Sequence, residues 1–433
     1  MTGAMYAAVA GLKAHMSALN VIGQNISNVN TNAYKATRYT FLEALYTTVR
    51  GGSNGSALLG GKNPAQNGYG SSIGTIDLDM STKNYTPTGR ATDVMIDGDG
   101  MLIVGDKSAT FGKNGTNTLA DMFLTRLGNL EFDNQGYLVD GQGQVVYGFL
   151  AVKNPIYEAQ MGDPTKLPPS LNADPAPPIN QGGYYLDKDG QLVQVTEVDA
   201  TTGAYKTKVI DEYTPAPTLT AIRLPMMASL YEEEIKDAQG NVTGKRTVTK
   251  LGDALYPEYD ATTGEVKDVD DPTRCEGRRC KVDSISIDEN TGRITCTTSS
   301  GQAIVVGTIA IAKVDNPNGL THVDGHYYKA LDGAGDVSLT SIGFSVKNTD
   351  DPESPFYIPK ANATDPDPSM NDSEERIISS GTTKLISGGL ESSGTDLATE
   401  ISNMIMIQRG YQANTRIVTV TDSMLEELVN MKR

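Results

Sequence analysis

Apolar side chains recur at heptad spacing at both ends of this 433-residue chain. Near the N-terminus, Met5, Val9, Leu12, Met16, Leu19 and Ile26 follow alternating steps of four and three, with Gly23 in the one missing seat. Such steps keep one face of a helix turned toward a partner. The spacing predicts a helix over 3–28, its face widened by Ile22 and Val29. The Asn- and Ser-rich run from Asn25 to Asn32 ends it, because these side chains compete for backbone hydrogen bonds. Near the C-terminus, Leu397, Met404, Tyr411, Val418 and Leu425 recur every seven residues. The alternate seats hold Ile401, Gln408, Thr415, Asp422 and Val429, so one seam line is apolar and the other is mixed. A second helix is predicted over 395–430, with Ser393 and Asp396 as a capping pair and Lys432 and Arg433 suiting its negative end.

A lone helix is marginal in water, whereas each fully buried seam side chain is worth roughly 1.5–3 kcal/mol. Both helices therefore need a surface to cover them. Spacing alone leaves two placements open, the chain's own body or other subunits. The polar seats at Gln408, Thr415 and Asp422 suit a helix with several wet neighbours better than a dry two-helix core.

Between the helices the texture changes. Gly (45) and Pro (20) are frequent, Trp is absent and 38% of residues are hydrophobic, which suggests short strands and turns. Residues 51–74 are rich in Gly, Ser and Asn and read as a flexible loop. Strand-like runs follow at Ile73–Met80, Val94–Val104, Leu130–Phe132, Gln144–Leu150, Gln191–Val198, Ala204–Val209, Asn241–Lys250, Val282–Asp288, Arg293–Thr298 and Ala303–Val314. Thr202-Gly203 and Thr263-Gly264 look like hairpin tips. The Pro-rich stretch 151–180 reads as a domain boundary, and 350–375 is again rich in Pro and Asp. The expected class is α+β: two terminal helices forming a coiled-coil-like layer around a multi-domain, mainly antiparallel β body. The expected domains are 1–40 with 385–433 (helical), 41–150 with 301–384 (inner β) and 151–300 (outer β).

The net charge is −17, while the first fifty residues carry four basic side chains and one acid, so the acidic excess lies in the middle. Such a surface repels phosphate and argues against nucleic-acid binding. No apolar run is long enough to span a membrane, and Met1–Gly11 lacks the basic start of a secretory signal. Cys275, Cys280 and Cys296 are too few and odd in number for a disulfide framework. Asp97-Gly-Asp99-Gly100 resembles the start of a cation loop but lacks an acid at the closing position, Ser108, so a turn is expected there and at Asp187–Gly190. Cys275/Cys280 and His322/His326 have spacings that zinc uses, yet 41 residues separate the pairs. No Gly-x-Ser-x-Gly elbow or phosphate-binding Gly loop occurs, and the three histidines are His15, His322 and His326. No catalytic activity, metal or cofactor is expected.

The terminal segments resemble those of the bacterial flagellar rod and hook axial proteins. The N-terminal match is Ala18-Leu-Asn-Val-Ile-Gly-Gln-Asn-Ile-Ser-Asn-Val-Asn-Thr-Asn-Ala-Tyr-Lys35. The family pattern has Gly before the Tyr-Lys pair; here Ala33 stands there, which argues against a positive-φ turn. The C-terminal match runs from Gly389-Leu-Glu-Ser-Ser393 through Asp396-Leu-Ala-Thr-Glu400 and the specific string Gln408-Arg-Gly-Tyr-Gln-Ala-Asn414 to Leu425–Arg433. Asn84–Arg90 with Asp93–Gly100, Thr125–Leu130 with Gly136–Val139, and Ile309–Leu320 also resemble the family. Together these cover about half the chain, and 151–300 matches none of it.

Within the family, the chain's length and its central insert resemble the hook branch, with the distal rod as the alternative; a secreted β-rich adhesin is the rival outside it. The resemblance implies a structural subunit that polymerises with itself into a flexible tube transmitting torque from rod to filament. It implies an assembly interface on the helices (Met5, Val9, Leu12, Met16, Leu19, Ile22, Ile26, Leu397, Ile401, Met404, Gln408, Tyr411, Val418, Leu425 and Val429). It further implies type III export without a cleaved signal to the flagellum outside the cell. Phe41 and Leu45 fit the family's export-gate motif, although with Leu42 they are equally a patch of core. The implied partners are rod and hook–filament junction proteins, a hook cap and the export apparatus, with no membrane insertion.

Overall fold

The computed structural model describes residues 3–55, 60–109, 111, 119–161, 167–171, 178–181, 183–188, 190–198, 205–216, 218–228, 231–236, 242–248, 254–260, 265–269, 275–298, 301–341 and 383–431. The fold is α+β, with two long terminal helices packed on each other and a mainly antiparallel β body. The chain divides into two compact units. The first comprises 1–86, 316–320 and 390–433; the second comprises 87–315 and 321–389.

The first unit holds the helices α1 (Gly3–Ser27) and α3 (Leu397–Met431), within a residue or two of their expected bounds. A β-ribbon leaves α1. Its strands are β1 (Thr37–Glu43), β2 (Tyr46–Arg50), β3 (Ala65–Gly68) and β4 (Ser71–Leu78). β1 pairs with β4, and β2 pairs with β3, both antiparallel. The expected loop over 51–74 is thus shorter than its composition suggests. Ala65–Gly68 and the start of β4 form ladders, and a Ser53–Lys62 bridge extends the β2–β3 ribbon. Polar side chains suffice there because both strands face solvent.

The second unit is built on a large antiparallel sheet. Its two central strands, Val145–Lys153 and Ala303–Val314, are buried along almost their whole length. That burial explains their continuous apolar runs, since a strand covered on both faces has no polar side to show. They pair through Gly148–Ile309, and Val282–Ile287 and Arg293–Thr298 extend the same sheet beyond Ala303–Val314. The core gathers Leu102, Val104, Leu130, Val146, Ile304 and Ile311 among others. The expected strand runs match observed strands closely. The exception is 94–104, which is two strands, Val94–Asp97 and Met101–Gly105, joined by a turn in which Gly98 and Gly100 both have positive φ. A short helix, α2 (Pro155–Met161), stands in the Pro-rich stretch. Thr202-Gly203, Thr263-Gly264 and residues 350–375 lie outside the described residues, but the strands flanking the two Thr-Gly pairs do form antiparallel hairpins.

Candidate assembly surface

The helix pair is the part of the chain whose residues are most specific, and its geometry accounts for them. α1 buries Ala8, Gly11, Ala14, Ala18, Val21, Ile22 and Asn25. Small side chains dominate this stripe, so the backbone of α3 can come close. A Cβ added at Gly11 would stand 2.5 Å from Asn414 Nδ2, and one added at Gly410 would stand 2.8 Å from the Cε1 atom of His15. Gly11 seats Asn414, and Gly410 seats His15, so the two helices exchange a gap for a side chain. Of the string Gln408–Asn414, Gly410, Tyr411 and Asn414 are partly covered, whereas Gln408, Arg409, Gln412 and Ala413 are exposed. The His15 ring also meets Phe41 of β1 edge-on, with centroids 5.6 Å apart. Ala18, Ile22 and Ile407 then form a core with Leu19, Ile26, Tyr39, Ile73 and Met404, joining both helices to the ribbon.

The end of α1 is sewn down by polar groups. Asn25 is 1% exposed. Its Nδ2 donates to Glu400 Oε1 at 2.7 Å and to the Thr37 carbonyl at 2.9 Å. Its Oδ1 accepts from the Thr37 N–H at 3.0 Å and the Tyr34 hydroxyl at 3.1 Å. A side-chain amide has two donors and two acceptor lone pairs, and Asn25 uses both ends. The Tyr34 hydroxyl is held above its ordinary pKa, chiefly by burial. Lys35 and Glu391 form an ion pair at 2.7 Å with both side chains fully buried. Lys35 also donates to the Ser81 carbonyl, and the Lys83 N–H donates to Glu391 Oε1. The Ala33 N–H donates to the Glu391 carbonyl at 2.8 Å and Ser393 Oγ to the Asn28 carbonyl at 2.8 Å. The two terminal motifs are therefore halves of one bonded joint.

Two local expectations change. Ala33 has φ of 58°, so the positive-φ turn persists without the family's glycine. The joint holds it there at a cost of about 1–2 kcal/mol. Ser393 does not cap α3. Asp396 does, accepting from Ala398 N–H at 3.1 Å and from the Thr399 hydroxyl, and these bonds hold its carboxyl below its ordinary pKa.

Of the seam residues expected on α1, Ile22 is buried, Met5, Leu12, Leu19 and Ile26 are half-buried, and Val9 and Met16 are exposed. On α3, Met404, Tyr411, Val418 and Leu425 are half-buried, and Leu397, Ile401, Gln408 and Val429 are exposed. Within one chain, the second line of α3 is Ile407, Asn414 and Thr421, one residue before the seats Gln408, Thr415 and Asp422. Ala8, Gly11, Ala14 and Ala18 are small and leave no mark in the pattern of large apolar residues. The signal that finds them is the seven-residue recurrence of Gly11, Ala18 and Asn25. Phe41 and Leu45 are 40% and 84% exposed, and Leu42 is 58% exposed, so these three are not core of the single chain.

The groups considered for chemistry lie in the second unit. Cys275, Cys280 and Cys296 are free and buried. Burial pushes the Cys280 thiol up to about 11 and the Cys296 thiol up to about 12, so both stay protonated at neutral pH. His326 meets Gln142, and burial lowers its pKa; His322 packs edge-on against Tyr328. Among the described residues, no three His, Cys, Asp or Glu side chains are grouped to hold a metal ion, and no helix is long and apolar enough to cross a membrane.

The family model for the C-terminal region of flagellar basal-body rod proteins matches residues 386–431, which include Glu391, Asp396 and all of α3. A flagellar basal-body rod protein of Bacillus subtilis is 26% identical over the whole of both chains. A flagellar hook protein of Borreliella burgdorferi is 25% identical, again over the whole of both. Over its whole length the chain is similar to flagellar rod and hook proteins. A solved hook protein of Helicobacter pylori covers 71% of this chain at 11% identity and a TM-score of 0.28, too slight a likeness to argue from.

Proposed function

We propose that this chain is the subunit of the flagellar hook, polymerising with itself into a flexible tube between rod and filament. The observation that carries the polymer is a second apolar stripe on α3. Met406, Ile417, Val420, Met424, Leu428 and Met431 are 45–78% exposed, although α3 already packs on α1 with another face. Tyr6, Val9 and Met16 are likewise exposed on α1. Apolar side chains spaced at three and four residues on an uncovered face are the mark of a helix with further neighbours. The seam residues named from spacing divide accordingly. Ile22, Met404, Tyr411, Val418 and Leu425 serve the internal pair, and Val9, Met16, Leu397, Ile401 and Val429 serve contacts between subunits. In this reading 151–300 belongs to an outer β domain, the chain leaves the cell by type III export, and the exposed Phe41 and Leu45 engage the export gate. Its partners are rod, junction and cap proteins.

A distal-rod subunit is the second reading. It rests on the Bacillus subtilis rod protein, whose match along its full length removes chain length as a discriminator. Gene deletion with electron microscopy of basal bodies separates the two. Complete rods without hooks support the hook; rods truncated before their distal end support the second reading, and normal hooks contradict both.

A further inference from the structure

Methionine is spread unevenly between covered and exposed positions. Among the described residues, Met16, Met406, Met424 and Met431 are exposed, by 53–78%, and all four lie on the terminal helices. Met95, Met101 and Met122 are buried in the second unit, and the others, Met404 on the internal seam among them, are half-buried. Met406 and Met424 stand eighteen residues apart, about five turns, so they share one face of α3. Met431 follows seven residues later on the same face, in line with the exposed Ile417, Val420 and Leu428. The sulfurs that would outcompete them are out of reach. A peroxide attacks thiolates ahead of thioethers, but Cys275, Cys280 and Cys296 are buried, and burial holds the Cys280 and Cys296 thiols protonated.

We propose that Met406, Met424 and Met431 form an oxidation site for peroxide, whose sulfoxides keep the free chain out of the polymer until a thiol-dependent reductase removes the oxygen. The sulfur lone pair attacks one peroxide oxygen, an S–O bond forms and the O–O bond breaks. Sulfur loses two electrons, and the second oxygen takes the proton and leaves as water. The reverse step returns the added oxygen as water while two thiols join as a disulfide. A sulfoxide is a strong acceptor on what was a flexible apolar side chain, so a dry contact over this face would bury it without a donor. Met404 is screened by the helix pair, and the buried methionines by the β body, so the single chain keeps its fold while its outer face changes. The inference rests on the polymeric reading of the stripe.

The test begins with the purified full chain, folded and dilute, treated briefly with hydrogen peroxide and mapped by peptide mass spectrometry. Sulfoxide is expected at Met16, Met406, Met424 and Met431 at about tenfold the level at Met95, Met101 and Met122, with an unchanged melting temperature. Equal oxidation of exposed and buried methionines, or oxidation of the cysteines first, overturns the inference and leaves the polymeric reading standing. Treated and untreated chains are then added to short flagellar fragments as seeds, and the polymer is sedimented. The treated chain is expected to add at about a tenth of the untreated amount, and methionine sulfoxide reductases with dithiothreitol to restore it. A treated chain that adds as well as the untreated one, or that stays excluded once its sulfoxides are reduced, contradicts the proposal. An untreated chain that adds to no seed overturns the polymeric reading instead, while the peptide map still decides where the chain is oxidised.

Discussion

Ala33 and the Lys35–Glu391 pair stand a few residues apart and make opposite demands. Ala33 holds a left-handed φ of 58° that glycine adopts freely. Ala33→Gly is therefore expected to stabilise the chain by about 1 kcal/mol, read as a higher urea midpoint at unchanged slope. Lys35 lies fully buried against Glu391 at 2.7 Å, and removing one partner strands the other's charge away from water. Lys35→Met is expected to cost about 3–5 kcal/mol, and pairing it with Glu391→Leu to recover most of that loss. Asp79, on the same joint, gives a pH signature. Desolvation opposes its ionisation, but bonds from Lys83 and Ser81 outweigh this and bring its carboxyl down to about 2. A depressed carboxyl stabilises the fold above its unfolded pKa of about 4 and loses that contribution as pH falls toward 2. The pair with Lys83 is partly exposed, so the contribution is about 1 kcal/mol or less. Urea midpoints at pH 5 and pH 2.5, compared between wild type and Asp79→Asn, read it directly: the gap between the two proteins should narrow at the lower pH.

At the scale of elements, the α1–α3 contact depends on two absent side chains. Gly410→Leu would drive carbon into the His15 ring and is expected to destabilise by about 1–3 kcal/mol. His15→Ala in the same chain opens the space again, so a double-mutant cycle by thermal unfolding should show coupling of more than about 0.5 kcal/mol. Additive effects would mean that the two residues do not meet. This contact is only partly legible in the sequence. The lengths of α1 and α3 and most strands were legible because their apolar periods are strong, as in Ala303–Val314 and Val145–Lys153. The line Met404, Tyr411, Val418 and Leu425 was legible for the same reason. Its companion was not, since Ile407, Asn414 and Thr421 are as mixed in polarity as the neighbouring seats Gln408, Thr415 and Asp422. Only the small residues of α1 decide between them, through their close approach. The joint at Asn25, Lys35 and Glu391 was legible as a family motif, but its bonds span more than 350 positions along the chain and have no local signal. The ribbon's second ladder was hidden by a Gly- and Asn-rich composition that reads as loop.

At the scale of the molecule, the chain divides its apolar surface between what it buries itself and what it leaves uncovered. Ile22 and Ile407 are spent on the internal helix pair, whereas Val420 and Met424 are 58% and 61% exposed on the same helix. Their substitution by acids therefore costs the single chain little, since exposed positions away from special contacts change stability within about 0.5 kcal/mol. In a polymer the same change buries a charge without a partner, at a cost of several kcal/mol per contact repeated along the tube. The most direct measurement is electron microscopy of flagella from cells whose only copy carries Val420→Asp and Met424→Asp, with thermal unfolding of the purified chain alongside. The account predicts an unchanged melting temperature and no incorporation of the variant into flagellar structures. Normal structures built from that variant would contradict it.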